Sequence, residues 1–331
     1  MLILVVLTYV VIITFTLFLL INKLFFILMQ ELKEIISDKL NIPLTQVKKV
    51  EFLGGMTNQN YLALTENKKG EVCEYVLRMP GAKTESLISR TNEAMNSKAS
   101  SNYGFNVETC YFDVDSGIKI TKYLKDSQTL DHSSIQNSEI IKEIADNLKA
   151  LHTSEMVLQN TFNVFDKYDA YFALLENKDN FLNYVPEMPE VISFWQKVTQ
   201  YFQKNKPKLS PCHNDLVPEN ILYKDRFYFI DWEYSGMNDL YFDLAAFLLE
   251  SRLNKENEQI FLQQYFAKTN IEKEQQIIYL YQFTQDLLWT LWTVIKEENN
   301  EFFGDYGQKR IARAIKFMHY FNQNGFLDNE L

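Results

Sequence analysis

At 331 residues the chain is long enough to bury a sizeable core, as one large domain or as two lobes. Hydrophobic residues at 47% and charged residues at 23% are ordinary globular values, and no repeat or low-complexity tract is present. A formal net charge of −10 speaks against a nucleic-acid partner, and Cys73, Cys110 and Cys212, few and odd in number, speak against a disulfide framework and for a reducing, cytoplasmic setting.

Residues 1–28 stand apart. "MLILVVLTYVVIITFTLFLLINKLFFIL" carries one charge, Lys23, and its first 21 residues hold no charge, Gly or Pro. A bilayer takes about 20 apolar residues to cross. The stretch reads as a membrane anchor or as a start placed too far upstream, and both readings stay open. It has neither the basic n-region nor the small-residue cleavage site of a secretory signal. As an anchor it would leave the rest on the cytoplasmic side, by Lys23 and Lys33. From Met29 onward, "MQELKEIISDKL" sets Leu32, Ile35, Ile36 and Leu40 on one face of an amphipathic helix.

The next stretch, to Leu124, reads as strands. "VKKVEFL" leads into Gly54-Gly55, "NYLAL" follows, "ENKKG" turns, and "CEYVLRM" returns before Pro80-Gly81. A helix is expected over 84–100 and a last strand in "GIKITKYL". After Asp126 the character changes to long helices: Ile140, Ile141, Ile144, Leu148 and Leu151 keep helical spacing, as do 191–203, 257–267, 275–297 and 307–323. The expected fold is therefore α+β and two-lobed, with a small antiparallel-sheet lobe over 29–124 and a larger helical lobe over 125–331.

One segment interrupts the helical lobe. "LSPCHNDLVPENILYKDRFYFIDWEYSG" carries short strands at 221–223 and 227–230 with polar residues between and after them. His213-x-Asp215 is followed five residues later by Asn220, and Asp231 follows the hairpin in "FIDWE". Phosphoryl transfer needs a carboxylate to orient the attacking hydroxyl and oxygen ligands for Mg²⁺ on the nucleotide phosphates. Asp215 suits the first role, and Asn220 with Asp231 suits the second. The loop alone is a moderate signal; with Asp231 behind the hairpin it is a strong one.

The sheet lobe offers matching parts. "FLGGMTNQNYLAL" is a strand, a glycine turn and a strand, which lets backbone N–H groups approach phosphates. It is not a Gly-x-x-x-x-Gly-Lys-Ser/Thr loop, which excludes the P-loop fold. Arg78, on an apolar strand, needs an anionic partner, and Glu93 in the following helix is the expected one, holding the cation over the α- and β-phosphates of ATP.

With "GGMTNQNY", "VLRMPG", "RTNEAMN", "KITKYL", "HNDLVPENIL", "IDWEYSGMNDLYFDLA" and "QDLLWTLWTVIKE" in this order, the chain from about Glu31 resembles the choline/ethanolamine kinases. These belong to the aminoglycoside-phosphotransferase and protein-kinase-like superfamily. The resemblance is nearest to the bacterial choline kinases that supply phosphocholine for surface glycans. It implies Asp215 as catalytic base, Asn220 and Asp231 as Mg²⁺ ligands, and Arg78 on the ATP phosphates with Glu93 as its partner. It implies further that Gly55, Thr57 and Asn58 close over the nucleotide, and that backbone from Thr121 to Tyr123 faces adenine. Asp243, in "YFDLA", resembles an acid that braces the catalytic loop, and His213 is expected to shape that loop.

In "QDLLWTLWTVIKE", Asp286, Trp289 and Trp292 recur at spacing three and share one helix face. A quaternary ammonium donates no hydrogen bond and is held by aromatic faces, each worth about 0.5–2 kcal/mol, with a carboxylate nearby for charge. Glu250 and Tyr306 complete the expected cage. The expected reaction is choline plus MgATP giving phosphocholine and ADP. Ethanolamine or an aminoglycoside as acceptor, and a catalytically silent membrane-tethered binding protein, are the alternatives.

Overall fold

The computed structural model describes residues 2–330 except 56–57 and 82–87, with side chains from residue 20 onward. The chain divides into two compact units: residues 1–84 with 107–125, and residues 85–106 with 126–331.

In the first unit, Leu2–Lys39 is a helix (α1) whose C-terminal half covers a sheet. The strands are Val47–Gly54 (β1), Gln59–Glu66 (β2) and Val72–Met79 (β3). After helix α2 of the second unit, Thr109–Phe112 (β4) and Lys119–Lys122 (β5) complete the sheet in the antiparallel order β1-β2-β3-β5-β4. The amphipathic register read from Met29 is what seats α1: Leu32 and Ile36 are buried against Val50, Tyr61, Ala63, Leu77 and Ile120. Ile35 and Leu40 flank them, half-buried. Upstream, residues 20–28 continue the helix with Leu24, Phe25 and Phe26 exposed, Phe26 by 71%. Among the described residues no helix is long and apolar enough to cross a membrane. The anchor reading falls largely on side chains 1–19, outside those described.

The second unit starts with Arg90–Asn102 (α2), capped by Ser89, whose Oγ accepts the Asn92 N–H at 3.4 Å. The sequence reading placed this helix in the N-terminal lobe. It clusters with the helical unit because its buried Asn96 donates to Asn160 Oδ1 at 2.8 Å and to the Ser235 carbonyl at 3.1 Å. Next come Gln128–Thr129 (β6), Ser138–Thr153 (α3), Val164–Leu174 (α4), Lys178–Leu182 (α5) and Met188–Lys204 (α6). Leu209–Cys212 (β7) pairs with Gly236–Asp239 (β10), and Ile221–Tyr223 (β8) with Phe227–Phe229 (β9) forms a hairpin flanked by β6. Leu240–Ser251 (α7), Lys255–Phe266 (α8), Glu272–Glu298 (α9), Tyr306–Asn324 (α10) and Phe326–Glu330 (α11) close the unit.

Helix α9 is buried over most of its circumference from Ile278 to Ile295, with α4, α7 and α10 packed on it, and its polar Gln282, Thr284, Gln285 and Asp286 are buried with the rest. Strands β7 and β10 and helices α4 and α7 were not anticipated. The β-strands are only 4 residues each, and α7 is so uniformly apolar that it shows no helical alternation.

Candidate active site

The loop that carries His213, Asp215 and Asn220 hangs between β7 and β8 and is fixed from beneath by Asp243, one turn into α7. Its Oδ2 accepts the His213 N–H at 2.7 Å and its Oδ1 accepts the Asn214 N–H at 2.6 Å. His152 and Tyr265 back this carboxylate: His152 Nε2 lies 3.1 Å from Asp243 Oδ2, and its Nδ1 lies 2.7 Å from the Tyr265 hydroxyl. Asn214 adopts a left-handed backbone, φ +66°, which asparagine tolerates better than most residues. Its side chain donates to the Tyr234 carbonyl at 3.0 Å and accepts from Asn238 at 2.8 Å. His213 shapes the loop from inside. Its Nε2 donates to the Ile230 carbonyl at 2.8 Å, and its Nδ1 accepts the Asp215 N–H at 3.3 Å.

This frame presents Asp215, half-buried, at the end of the loop. Burial, then the charges of Asp231 and Glu250, push its carboxyl up to about 7. Asn220 donates its amide to the Asp215 carbonyl at 3.0 Å, which directs its Oδ1 elsewhere. Asp231 follows β9 with φ +66° and ψ +65°, a left-handed conformation that costs a non-glycine residue about 1–3 kcal/mol. A strained residue held by its surroundings at the mouth of a hairpin is a functional signal. Carboxylate oxygens of Asp231, Glu93 and Glu233 lie within 4.8 Å of one another. With the Asn220 oxygen, such hard donors fit a divalent cation of the magnesium kind.

Arg90 was not anticipated. It is buried in the first turn of α2, donates to Glu93 at 2.7 Å and lies 3.6 Å from Glu233. An arginine three residues before a glutamate was the available sequence signal. Arg78, in the other unit, is buried over the Phe112 ring at 5.5 Å and reaches the Gly117 carbonyl at 3.4 Å.

The glycine turn shows why glycine stands there. Gly55 has φ +140°, and a Cβ on it would lie 1.7 Å from the Asn58 carbonyl oxygen. Asn58 is buried and its Oδ1 accepts the Gly81 N–H at 3.3 Å. Thr57 lies outside the described residues. Thr121 sits in β5 between β3 and β4, paired with Val76 and Thr109, and the Tyr123 N–H goes to the Glu74 carbonyl at 3.0 Å. Sheet pairing thus engages much of the main chain that the resemblance points toward adenine.

The aromatic residues gather as a chain of ring contacts, three of them edge-on and one tilted. Tyr234 meets Trp289 at 5.3 Å between ring centroids, Trp289 meets Trp292 at 6.3 Å, and Trp292 meets Tyr306 at 6.2 Å and Phe303 at 5.0 Å. Tyr234 and Phe303 were missed, since neither lies at a telling spacing from the tryptophans. Asp286 was expected to supply the carboxylate of the cage, and the structure pairs it with arginines instead. It is fully buried, and Arg313 binds it bidentately at 2.6 and 2.7 Å. The position three residues before Trp289 on α9 faces α10, and α10 supplies arginines.

A sheet unit, a helical unit and a braced His-x-Asp loop with an acid behind the next hairpin define a phosphotransferase of the kinase-like fold. The family model for choline/ethanolamine kinase matches residues 49–318. The chain is 42% identical over 275 residues to the protein LicA of Haemophilus influenzae, covering 80% of this chain and 78% of that protein. The solved structure of the choline kinase LicA from Streptococcus pneumoniae superposes with a TM-score of 0.74 at 38% identity, over 88% of this chain and 99% of that one. A structure of LicA in complex with AMP gives a TM-score of 0.73 at 36% identity, over 89% and 99%. This chain belongs to the choline/ethanolamine kinase family, and it is an enzyme that transfers a phosphoryl group to an alcohol.

Proposed function

We propose that the protein transfers the γ-phosphoryl group of ATP to the hydroxyl of choline, giving phosphocholine and ADP, in the cytoplasm, where its three free cysteines stay reduced. One observation carries the choice of acceptor. Asn214, next to Asp215, is bonded to the carbonyl of Tyr234, and the Tyr234 ring opens the run Trp289–Trp292–Tyr306. This link between the loop that carries Asp215 and a run of aromatic rings supports an acceptor with a quaternary ammonium.

Asp215 accepts a hydrogen bond from the choline hydroxyl, aligns its oxygen with the γ-phosphorus and takes up the proton on its carboxylate. A carboxyl raised to about 7 is matched to this task near neutral pH. Asn220 and Asp231 would hold Mg²⁺, which when bound neutralises charge on the nucleotide phosphates. Gly55, Asn58 and Arg78 are assigned to the nucleotide phosphates. Most of the rate enhancement comes from positioning and charge stabilisation.

The test is ADP release by the full chain with MgATP and, in parallel, choline, ethanolamine, an aminoglycoside or no acceptor, beside Asp215→Ala. Turnover strongest with choline and lost in the variant supports the proposal. Turnover only with another acceptor overturns the choice of choline. Ligand binding without any ADP release would favour the silent binding protein.

A further inference from the structure

The acids expected to meet the acceptor's cation are already paired inside the helical unit. Glu250, near the end of α7, accepts a hydrogen bond from Arg310 on its Oε1 at 2.6 Å and lies 3.6 Å from Arg313. Asp286 takes Arg310 at 3.2 Å besides its bidentate bond to Arg313. The two acids and two guanidinium groups balance. Arg310 also donates to the Tyr306 hydroxyl at 2.7 Å, with its guanidinium 4.7 Å from that ring's centroid. It is 6% exposed and held by Asp286, Glu250 and Tyr306 at once, so swinging it aside would break all three contacts.

We infer that Arg310 is a specificity-determining residue of the acceptor site. By neutralising Glu250 and engaging the Tyr306 hydroxyl, it favours a quaternary ammonium over a primary one. This rests on the proposed choline kinase reading and supplies the basis of its choice between choline and ethanolamine. A primary ammonium carries three N–H donors that must find acceptors once they leave water. Near the aromatic run, the Glu250 charge is shared with arginines and the Tyr306 oxygen already accepts a bond. A trimethylammonium has no donors to satisfy, so at compensated acids it gives up charge attraction alone, where a primary ammonium gives up hydrogen bonds as well, and it gains from the faces of Tyr306, Trp292 and Trp289. Rejection of the hydrogen-bonding competitor comes from what the protein has already engaged.

The experiment measures kcat/KM for choline and for ethanolamine with full-length wild type, Arg310→Gln, Arg310→Lys and the charge-neutral pair Glu250→Gln/Arg310→Gln. Arg310→Gln should lower the choline-to-ethanolamine ratio about tenfold, since one acceptor regained by the ammonium is of that order, with KM for ATP unchanged. The paired variant should remove that gain, because the released acid is gone. If Arg310→Gln does not fold, Arg310→Lys carries the test: a compact ammonium lacks the planar fork with which the guanidinium spans Glu250, Asp286 and Tyr306, so the ratio should fall about threefold in the same direction. Both substrates declining in parallel, with the ratio unchanged, would mean a structural role only and overturn the inference. Wild type that turns over neither acceptor would instead sink the choline kinase reading itself.

Discussion

The Asp243 carboxylate accepts the Asn214 backbone N–H at 2.6 Å, across 29 residues of sequence. With the matching bond to His213, it fixes both residues that precede Asp215, one of them in a left-handed conformation. Asp243→Asn should present an N–H₂ to one of these donors and lose that bond while unbalancing the other. The expected cost is about 2–4 kcal/mol of stability, read by urea unfolding. Turnover should fall about a hundredfold, since a catalytic carboxylate misplaced by an ångström loses that much.

In the proposed mechanism, Asp215 ties catalysis to stability through pH. Its folded carboxyl titrates at about 7 against 3.8 for an ordinary aspartate. A raised carboxyl contributes stability that is fully present below 3.8 and is lost as pH climbs through about 7. Asp215→Asn, which cannot ionise, should therefore unfold at higher urea than wild type at pH 8, by about 2–4 kcal/mol, and at nearly the same urea at pH 4. The same titration predicts that kcat/KM of wild type falls tenfold per unit as pH drops below about 7. Equal stability differences at both pH values would show that burial and the charge of Asp231 do not act on this carboxyl.

Asp231 separates fold from chemistry in a different way. Asparagine accepts φ +66° at least as well as aspartate. Asp231→Asn should leave the melting temperature within about 2 °C of wild type, yet lower turnover by about a thousandfold. Titrating the protein with Mn²⁺, followed by electron paramagnetic resonance, should show weaker ion binding in this variant and in Asn220→Ala. Unchanged ion affinity in both would remove them from the metal site.

The two tryptophans should part company in stability while agreeing in binding. Trp292 is buried and Trp289 half-buried. Trp292→Ala should cost about 3–5 kcal/mol of stability and Trp289→Ala markedly less. Each should raise KM for choline about tenfold by removing a ring face, with KM for ATP unchanged. Parallel rises in both KM values would point to a general loosening of α9.

Gly55→Ala tests the glycine turn. Its Cβ would collide with the Asn58 carbonyl and its φ of +140° is closed to alanine, so the turn must rearrange. KM for ATP should rise about tenfold while KM for choline holds. A normal KM for ATP would detach this turn from the nucleotide.

Much of this molecule is set within short stretches of sequence. Asp215 and Asn220 share one loop, Asp231 follows one hairpin, and Leu32 and Ile36 lie one helical turn apart. Covalent spacing and the periods of helix and strand settle such relations before any packing occurs. What spans the chain was decided by the tertiary structure alone. Asp286 read as the carboxylate of the tryptophan stripe, and only the packing of α10 against α9 brings Arg310 and Arg313 onto it. The same holds for Arg90 beside Glu233, 143 positions later in the numbering, and for Tyr234 against Trp289. The pairing of charges depends on distances of a few ångströms, and in a folded chain those are fixed by how helices pack. The sequence by itself therefore determined which candidate residues share a loop or a helix face; the packing decided which of their charges are paired inside the protein.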